Sequence, residues 1–487
     1  MGESAPSVSS PPNSLNLGLN LDDISHIEQQ TDAQVERILK EGWRKQIQQQ
    51  TRDKGKQRDS NNYGTLLTPS EVQAADLITS SSAYSIRHVT SLVGPKVQGK
   101  ESSAAARVRR RVMGVEEELR DLPVEGGLDY QEVGGRNCDN CIGYIPLPVG
   151  LAGPVTYSLI DLDGTLHPPA SLALPIATTE GGLIASVSRG CKAIRLAGGA
   201  DVAITKDEMT RCPCLEFPGL RSAAAFKRYV EGEEGGRVVR EAFEDTTKHG
   251  RLRGVEAKVV GRIVYMRVSA STGEAMGMNM VSKGTENILK VLKGKREGEG
   301  MKVLTLSGNG CSDKKPSATN FVKGRGKSVT AEVTIGREHV LKTLKTNPED
   351  MARTNLYKNQ IGSSVAGNLG GSNAHAANVV AGVYLATGQD PAHVVEGSMC
   401  TTVMEVTGEG DLYVSVTVPA VCVGTVGGGT ELKAAKAAIE SMGCKGEGGA
   451  RRLAGVVAVG VMAGEISLLA SLTEGTLVEA HMKLNRR

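Results

Sequence analysis

The sequence predicts an α+β fold in which a smaller module interrupts a larger domain. Three observations carry that prediction. Residues 200 to 306 alternate strand-like runs (KVVGRIVYMRVSA, MKVLTLSG) with helical ones (SAAAFKRYVEGEE, MVSKGTENILKVL), the pattern of a compact module of about 100 residues. Strand-like runs resume after Pro316, followed by three Gly/Ala-rich helices around Ala366 to Thr387, Leu432 to Met442 and Arg452 to Leu472. The length of 487 residues also exceeds what one core fills, since single cores stop growing at roughly 250 to 300 residues.

Taken in chain order, residues 1 to 80 are rich in Ser, Gln, Asn and charge, too little apolar surface for a core, and they read as a disordered or loosely helical leader. One helical-looking stretch, Thr31 to Gln50, holds the only tryptophan, Trp43. Between Tyr84 and Leu122 the run RVRRRVMGVEEELRDL predicts a basic-then-acidic helix on the surface or at a subunit contact. CIGYIPLPVGLAGPV, from Cys141 to Val155, mixes Pro and Gly with apolar residues and predicts an ordered extended loop or edge strand. A helix is expected over Thr179 to Ala197, with Thr178 and Thr179 as candidate caps and paired glycines at its end. Leu453 to Leu472 has the length of a membrane span, roughly 20 residues. Glu465 and the Ala/Gly content make it a buried helix of a water-soluble core instead, so no transmembrane segment is expected.

The bulk numbers exclude several classes. A net charge of +3 with 3 % aromatics offers neither a basic stripe nor stacking platforms, which argues against nucleic acid. The nine cysteines follow no framework spacing and no secretory leader precedes them, which favours a reducing, cytosolic compartment. Cys138 and Cys141 form a C-x-x-C without a second pair, so no metal is assigned. GRGKS at Gly324 to Ser328 ends like a phosphate loop, yet Phe321 stands where the first glycine is required. No GxGxxG turn lies between a strand and a helix.

What remains is one loop and four ionisable groups. In SGNGCSDKKP, Lys314 and Lys315 adjoin Asp313 among Gly and Ser, an arrangement that suits a solvated turn or an anion site able to neutralise an oxyanion. Glu180 in ATTEGG, Lys314, Asp390 in ATGQD and His481 in VEAHM span 300 residues and can meet only in a folded core or at a subunit interface. His375 in GGSNAHAAN has a similar small-residue setting. Caps and surface ion pairs use the same residue types, so each alone is ambiguous.

Seven segments in order change that. CDNCIGYIPLPVGLAGP, PIATTEGGLIASVSRGCKAI, GEAMGMNMVSKGTE, SGNGCSDKKP, GNLGGSNAHAANVV, GTVGGGT and VMAGEISL resemble the successive signatures of the 3-hydroxy-3-methylglutaryl-CoA reductase family, over about Ile86 to Arg487. The resemblance implies a four-electron reduction of the thioester to mevalonate with two NADPH. It also implies a large domain around a long central helix, an inserted ferredoxin-like cofactor domain and an N-terminal helical region. The corresponding boundaries are 81–138 for the helical region, 139–211 with 306–487 for the substrate domain and 212–305 for the NADP(H) domain. A homodimer or homotetramer with its active site at a subunit contact is implied as well.

By the same resemblance Lys314 is the oxyanion-stabilising lysine, Asp390 keeps it charged, Glu180 is the general acid with its pKa raised by Asp390, and His481 protonates the departing thiolate. Arg211, Ser307, Asn309, Asp313, Lys315, Lys358, His375 and Asn378 match positions around the hydroxymethylglutaryl group. Asp139, Asn140 and Tyr144 lie in the coenzyme A segment. Met276, Gly277, Met278 and Asn279 match the cofactor segment, with Gly427 near the pyrophosphate and Thr247 and Lys248 at the adenosine 2′-phosphate.

The sequence departs from the eukaryotic pattern in several places. Asp139 replaces Glu, Glu274 replaces Asp, Ala480 replaces Ser, TTKHG around Lys248 is divergent, and Arg487 stands where a regulatory serine is usual. The N-terminal membrane anchor of eukaryotic members is not seen, so a cytoplasmic chain is expected, with the catalytic part of an endoplasmic-reticulum-anchored protein as the alternative. Two other readings stay open: a non-catalytic coenzyme A-thioester-binding paralogue, and a reductase using NADH.

Overall fold

The computed structural model describes residues 115–475 other than 116, 135 and 140, together with Ala106 and Arg110. The leader with Trp43, most of the Tyr84–Leu122 segment, Asn140 and the tail carrying His481 lie outside the described residues. The chain forms two compact units, Met1–Pro146 and Leu147–Arg487.

In the first unit one buried cation gathers the backbone. The Arg110 guanidinium donates to Ile142 O at 2.8 Å, Leu119 O at 2.9 Å and Leu122 O at 2.6 Å. A planar fork of fixed donors can hold three carbonyls at once, which a lysine cannot. The short helix Tyr130–Val133 follows, and the Tyr130 hydroxyl donates to Val124 O at 2.7 Å.

The second unit begins with an antiparallel hairpin of β1 (Val149–Ile160) and β2 (Leu166–Ala177). Its turn is closed by Gly164 at φ 83° and by Thr165 N donating to Asp163 Oδ1 at 2.9 Å. Residues 141–148 are extended without regular structure, as the Pro/Gly pattern predicts, but the chain then enters β1, which pairs with β2 and with β3. Pro154 is tolerated inside that paired strand because it sits in a register irregularity between Ala152 and Val155.

Helix α1 (Leu183–Leu196) starts later than the sequence predicts: its cap is Gly182 at φ 92°, not Thr178 or Thr179. The Thr178 hydroxyl is occupied one turn earlier, accepting from Glu180 N at 3.0 Å. The paired glycines do end the helix, Gly198 and Gly199 both having positive φ.

β3 (Ala200–Arg211) leads into the predicted alternating segment. It comprises β4 (Cys214–Glu216), α2 (Leu220–Glu231), α3 (Glu233–Glu244), β5 (Arg251–Val260), β6 (Ile263–Ser271), α4 (Met278–Lys293) and β7 (Lys302–Thr305). The chain then returns through β8 (Gly326–Ile335), β9 (Gly371–Ser372), α5 (Ala376–Ala386), β10 (Cys400–Val406), β11 (Leu412–Val421), α6 (Lys433–Ser441) and α7 (Gly449–Glu474). The strands join in the order β7-β4-β6-β3-β8-β11-β10-β9, with β1 attached to β3, β2 to β1 and β5 to β6.

Two hydrophobic cores flank this sheet. One gathers β1, β2, α1, β8, β11, α5 and α7, and the other gathers α2, α3, α4, β5 and β6. β3 serves both: Ala200–Ala203 pair with β1 while Met209–Arg211 pair with β6. Helix α7 is apolar all round because it is surrounded on all sides, the pattern of a core helix. Its length and hydropathy would suit a membrane span, but 94 % of its apolar window is buried inside the protein. A Cβ on Gly190 of α1 would lie 1.9 Å from Ala463 O, so this glycine sets how closely α1 approaches α7.

Candidate active site

The SGNGCSDKKP loop is held in an uncommon backbone shape. Asn309, Ser312 and Lys314 have φ of 62°, 50° and 55°, three non-glycine residues in the left-handed region within six positions. Such conformations cost free energy and persist only where neighbours enforce them. Here Gly308 N donates to Cys212 O at 2.7 Å, and Asn320 Nδ2, from the helix Ala318–Lys323, donates to Ser312 O at 2.8 Å. The loop is therefore an ordered site and not a loose turn.

Its product is one ion pair. Lys314 Nζ lies 2.8 Å from Asp390 Oδ2, with both side chains part-exposed. The hydrogen bond to Asp390 lifts Lys314 above the ordinary lysine range. Burial pushes the Asp390 carboxyl up, but the hydrogen bonds from Lys314 and Ala392 N outweigh it and hold the group below the usual carboxylate range. Asp390 is aimed by its neighbour: Gln389 Nε2 donates to Gly424 O at 2.9 Å and Gly424 N donates to Gln389 Oε1 at 3.0 Å. A Cβ on Gly388 would come within 2.2 Å of Gly429 O, so the Asp390 turn rests directly on the GTVGGGT loop.

Beneath this pair lies a buried charge network. Arg325 is fully buried, with Nη1 2.8 Å from Glu396 Oε1 and Nη2 3.2 Å from Asp313 Oδ1. Arg211, at the end of β3, places Nη1 3.8 Å from Asp313 Oδ2 and donates from Nε to Ser282 Oγ of α4 at 3.0 Å. Both guanidinium groups reach the Met278 sulfur. Arg211 and Arg325, the two arginines facing Asp313, thus both touch Met278. His393, Glu396 and Cys422 offer three donor atoms within 4.8 Å of one another, but the Arg325 guanidinium already sits 3.3 Å from Cys422 Sγ, a cation in the place a metal ion would take.

Other predicted residues gather around these. Lys315 Nζ donates to Asp313 O at 3.2 Å, and Ser307 Oγ is 3.9 Å from Cys311 Sγ. His375 Nδ1 meets Asn378 Nδ2 at 3.3 Å, while its Nε2 is buried without a hydrogen-bond partner among the described residues. Glu465 of α7 fixes His375: its carboxylate accepts from Ala374 N at 2.7 Å, His375 N at 2.8 Å and Thr402 Oγ1 at 2.8 Å. Gly277, at φ 91°, opens α4 with no side-chain cap. Gly427 N donates to Glu431 Oε1 at 3.1 Å.

Some predicted residues stand apart. Glu180 is exposed, and its carboxylate makes no hydrogen bond or ion pair with the described residues. Lys358 and Asn279 are exposed. Lys248 is exposed as well, while the Thr247 hydroxyl accepts from His249 N and Gly250 N and so shapes the turn between α3 and β5. Asp139 and Tyr144 belong to the first unit, where the Tyr144 hydroxyl donates to Glu125 O at 2.8 Å.

Sequence reading missed Arg325, His393, Glu396 and Gln389, and gave Glu274 no structural role. A signal existed for two of them: Asp390, His393 and Glu396 are spaced by three, which stacks them on one face of a helical turn. Glu274 carries none, because its partners are remote in sequence. Its carboxylate accepts from Gly448 N and Ala450 N, each at 2.7 Å, and so caps α7.

Comparison with known proteins accords with this geometry. The profile of the hydroxymethylglutaryl-coenzyme A reductase family matches residues 105–486. A 3-hydroxy-3-methylglutaryl-coenzyme A reductase of Zea mays is 46 % identical over 415 residues, covering 81 % of this chain and 69 % of the plant protein. The reductase 2 of Solanum tuberosum is 44 % identical over 430 residues, covering 86 % of this chain and 70 % of its own length. This chain therefore spans about two thirds of the length of the plant proteins it matches. In fold it is similar to the class II reductase of Streptococcus pneumoniae bound to NADPH, with a TM-score of 0.52 at 18 % identity over 68 % of this chain and 86 % of the other. A mixed α+β architecture shared with a solved reductase, and a sequence match running almost from the first described residue past the last, place the chain in the hydroxymethylglutaryl-coenzyme A reductase family.

Proposed function

We propose that the chain reduces (S)-3-hydroxy-3-methylglutaryl-CoA to mevalonate and free coenzyme A at the Lys314–Asp390 pair, consuming two NADPH for the isoprenoid pathway. The observation that carries this reading is the 2.8 Å ion pair on a strained loop, which presents an ammonium group at a partly open site. NADPH, when bound, supplies the hydride for both reduction steps. Lys314 neutralises the charge that develops on the substrate oxygen in each step, and Asp390 keeps that ammonium protonated. Glu180, whose carboxylate has no hydrogen-bond or ion-pair partner among the described residues, donates the proton needed when the aldehyde becomes an alcohol. His481 protonates the departing thiolate.

Arg211, Asp313, Lys315, Ser307, Asn309, His375, Asn378 and Lys358 hold the hydroxymethylglutaryl group, and Asp139, Asn140 and Tyr144 the coenzyme A. Residues 212–305 form a ferredoxin-like NADPH-binding domain, and 139–211 with 306–487 the substrate domain around α7. The cofactor fits the residues present. The start of α4 at Met278 carries no side-chain cap, and the open Gly427 and Gly428, where a Cβ would meet nothing within 4 Å, leave room for a pyrophosphate. Met276 to Asn279 and Gly427 would line it, with Thr247 and Lys248 towards the 2′-phosphate.

A homodimer or homotetramer completes the site. In support, Tyr357, Val365 and Leu369 expose 58 %, 84 % and 66 % of their surface around Lys358, apolar area of the kind subunit contacts cover.

The test is thioester-dependent NADPH oxidation by the wild-type chain and by Lys314→Ala. The variant is expected to keep its melting transition and lose at least about 10²- to 10³-fold in turnover, the scale for removing one oxyanion stabiliser. Full activity in the variant sinks the mechanism, and equal turnover with NADH removes the cofactor assignment.

A further inference from the structure

The side chain between Asp390 and the buried network is His393, and no step above uses it. It is 1 % exposed. Its Nδ1 lies 2.7 Å from Glu396 Oε1 and 3.9 Å from Asp313 Oδ1, and its Nε2 faces Asp390 Oδ2 at 3.7 Å. Carboxylate oxygens thus stand before both ring nitrogens. A neutral imidazole has one N–H and one lone pair, so it would turn a lone pair towards one of these anions, whereas an imidazolium presents a donor to each.

We propose that His393 is a positioning residue, a permanently protonated imidazolium anchored on Glu396 that draws the Asp390 carboxylate into place for Lys314. The proposal rests on reading Lys314 and Asp390 as the catalytic pair.

The surroundings agree from every side. The substrate loop contributes Asp313, Lys314 and Cys311, the start of β8 contributes Arg325, the end of β3 contributes Arg211, α5 contributes Tyr384 and the end of β11 contributes Cys422. The two arginines reach Asp313 and Glu396 but neither pairs with Asp390, so among the described residues Lys314 and His393 are the cations that share it. Burial of the ring works against the charge. The Cys422 and Glu396 groups beside it outweigh burial and push the imidazole up to about 10. The ordinary histidine transition near pH 6.5 is then missing from the working range. Glu396 Oε1 also accepts from Lys314 N at 3.3 Å, so the same carboxylate holds the ring and the backbone of the lysine it serves.

Two measurements test this. The first is the ring ¹⁵N spectrum of the histidine-labelled wild-type chain between pH 5.5 and 8.5. One of the eight imidazoles should stay doubly protonated at pH 8.5, and a spectrum in which all eight are neutral there overturns the proposal. The second is His393→Gln, which keeps a hydrogen-bonding side chain and removes the charge. Turnover should fall about tenfold with both KM values unchanged within about twofold. The acid limb of the turnover profile should rise by about 0.5 to 1 pH unit, because Asp390 loses a cation that lowers its pKa. Wild-type turnover and an unmoved acid limb in the variant overturn the positioning role. Should the variant fail to fold, the wild-type spectrum decides. If the wild-type chain shows no reductase turnover, the catalytic reading fails while the spectrum still judges the charge on the ring.

Discussion

Lys314 and Asp390 form their 2.8 Å contact across a sequence gap of more than seventy residues, and both remain part-exposed. An ion pair in that setting adds little to stability. Its effect is chemical: it fixes the protonation state of a lysine that stays open to solvent.

Replacing Asp390 by Asn should therefore shift pH dependence more than stability. The hydrogen bond to Asp390 is the first cause of the raised Lys314 pKa, so its loss returns Lys314 towards the ordinary value near 10.4. The alkaline limb of turnover should move to lower pH. In the wild type the pair's stabilisation is complete above the ordinary aspartate value and below the ordinary lysine value. It is lost as pH falls through the lowered Asp390 pKa or rises through the raised Lys314 pKa. An alkaline limb that stays in place in Asp390→Asn would refute the coupling.

Arg325→Met should be severely destabilising, by about 3 to 5 kcal/mol, because it leaves the buried Glu396 carboxylate, with His393 as its remaining cation, and Asp313 incompletely compensated. Adding Glu396→Gln should recover part of that loss, since the uncompensated charge is then gone. Chemical denaturation of the single and double variants measures it, and equal stability of the two would argue against the pairing.

Glu274→Ala should cost about 0.5 to 2 kcal/mol, the scale of a lost helix cap, because the amides of Gly448 and Ala450 lose their acceptor. Glu274 also accepts from Thr425, and its carbonyl from Thr425 N, so it ties the GEAMGMN segment, proposed above to line NADPH, to the glycine loop. The KM for NADPH should rise more than the KM for the thioester. A uniform change in both would contradict this linkage.

The sequence made the α+β class, the alternating segment and the nature of α7 legible, because those depend on hydrophobic period and on composition. Glu465 in an apolar helix had already marked α7 as a core element, and its three hydrogen bonds show how the charge is accommodated. The SGNGCSDKKP loop stood out through its motif. Arg325 was not, since a basic residue in GRGKS looks like a solvent-facing cation until the fold buries it against Asp313 and Glu396. The α1 cap failed for a local reason: Thr178 closes its own turn before the helix begins. Glu274 could not be read, because its partners lie about 150 to 176 residues away and no local rule connects them.

β3 carries a mechanical consequence. One unbroken strand enters both cores, paired with β1 and β8 at its start and with β6 at its end, where Arg211 reaches Met278. A hinge needs a few loosely held residues, and this connection is ladder-bonded on both sides of a single register shift between Ile204 and Lys206. Relative movement of the two cores is then carried by the ribbon, as torsion along its right-handed twist or as bending at that shift. Arg211 sits at the far end, so the angle between the cores and the grip on Asp313 change together.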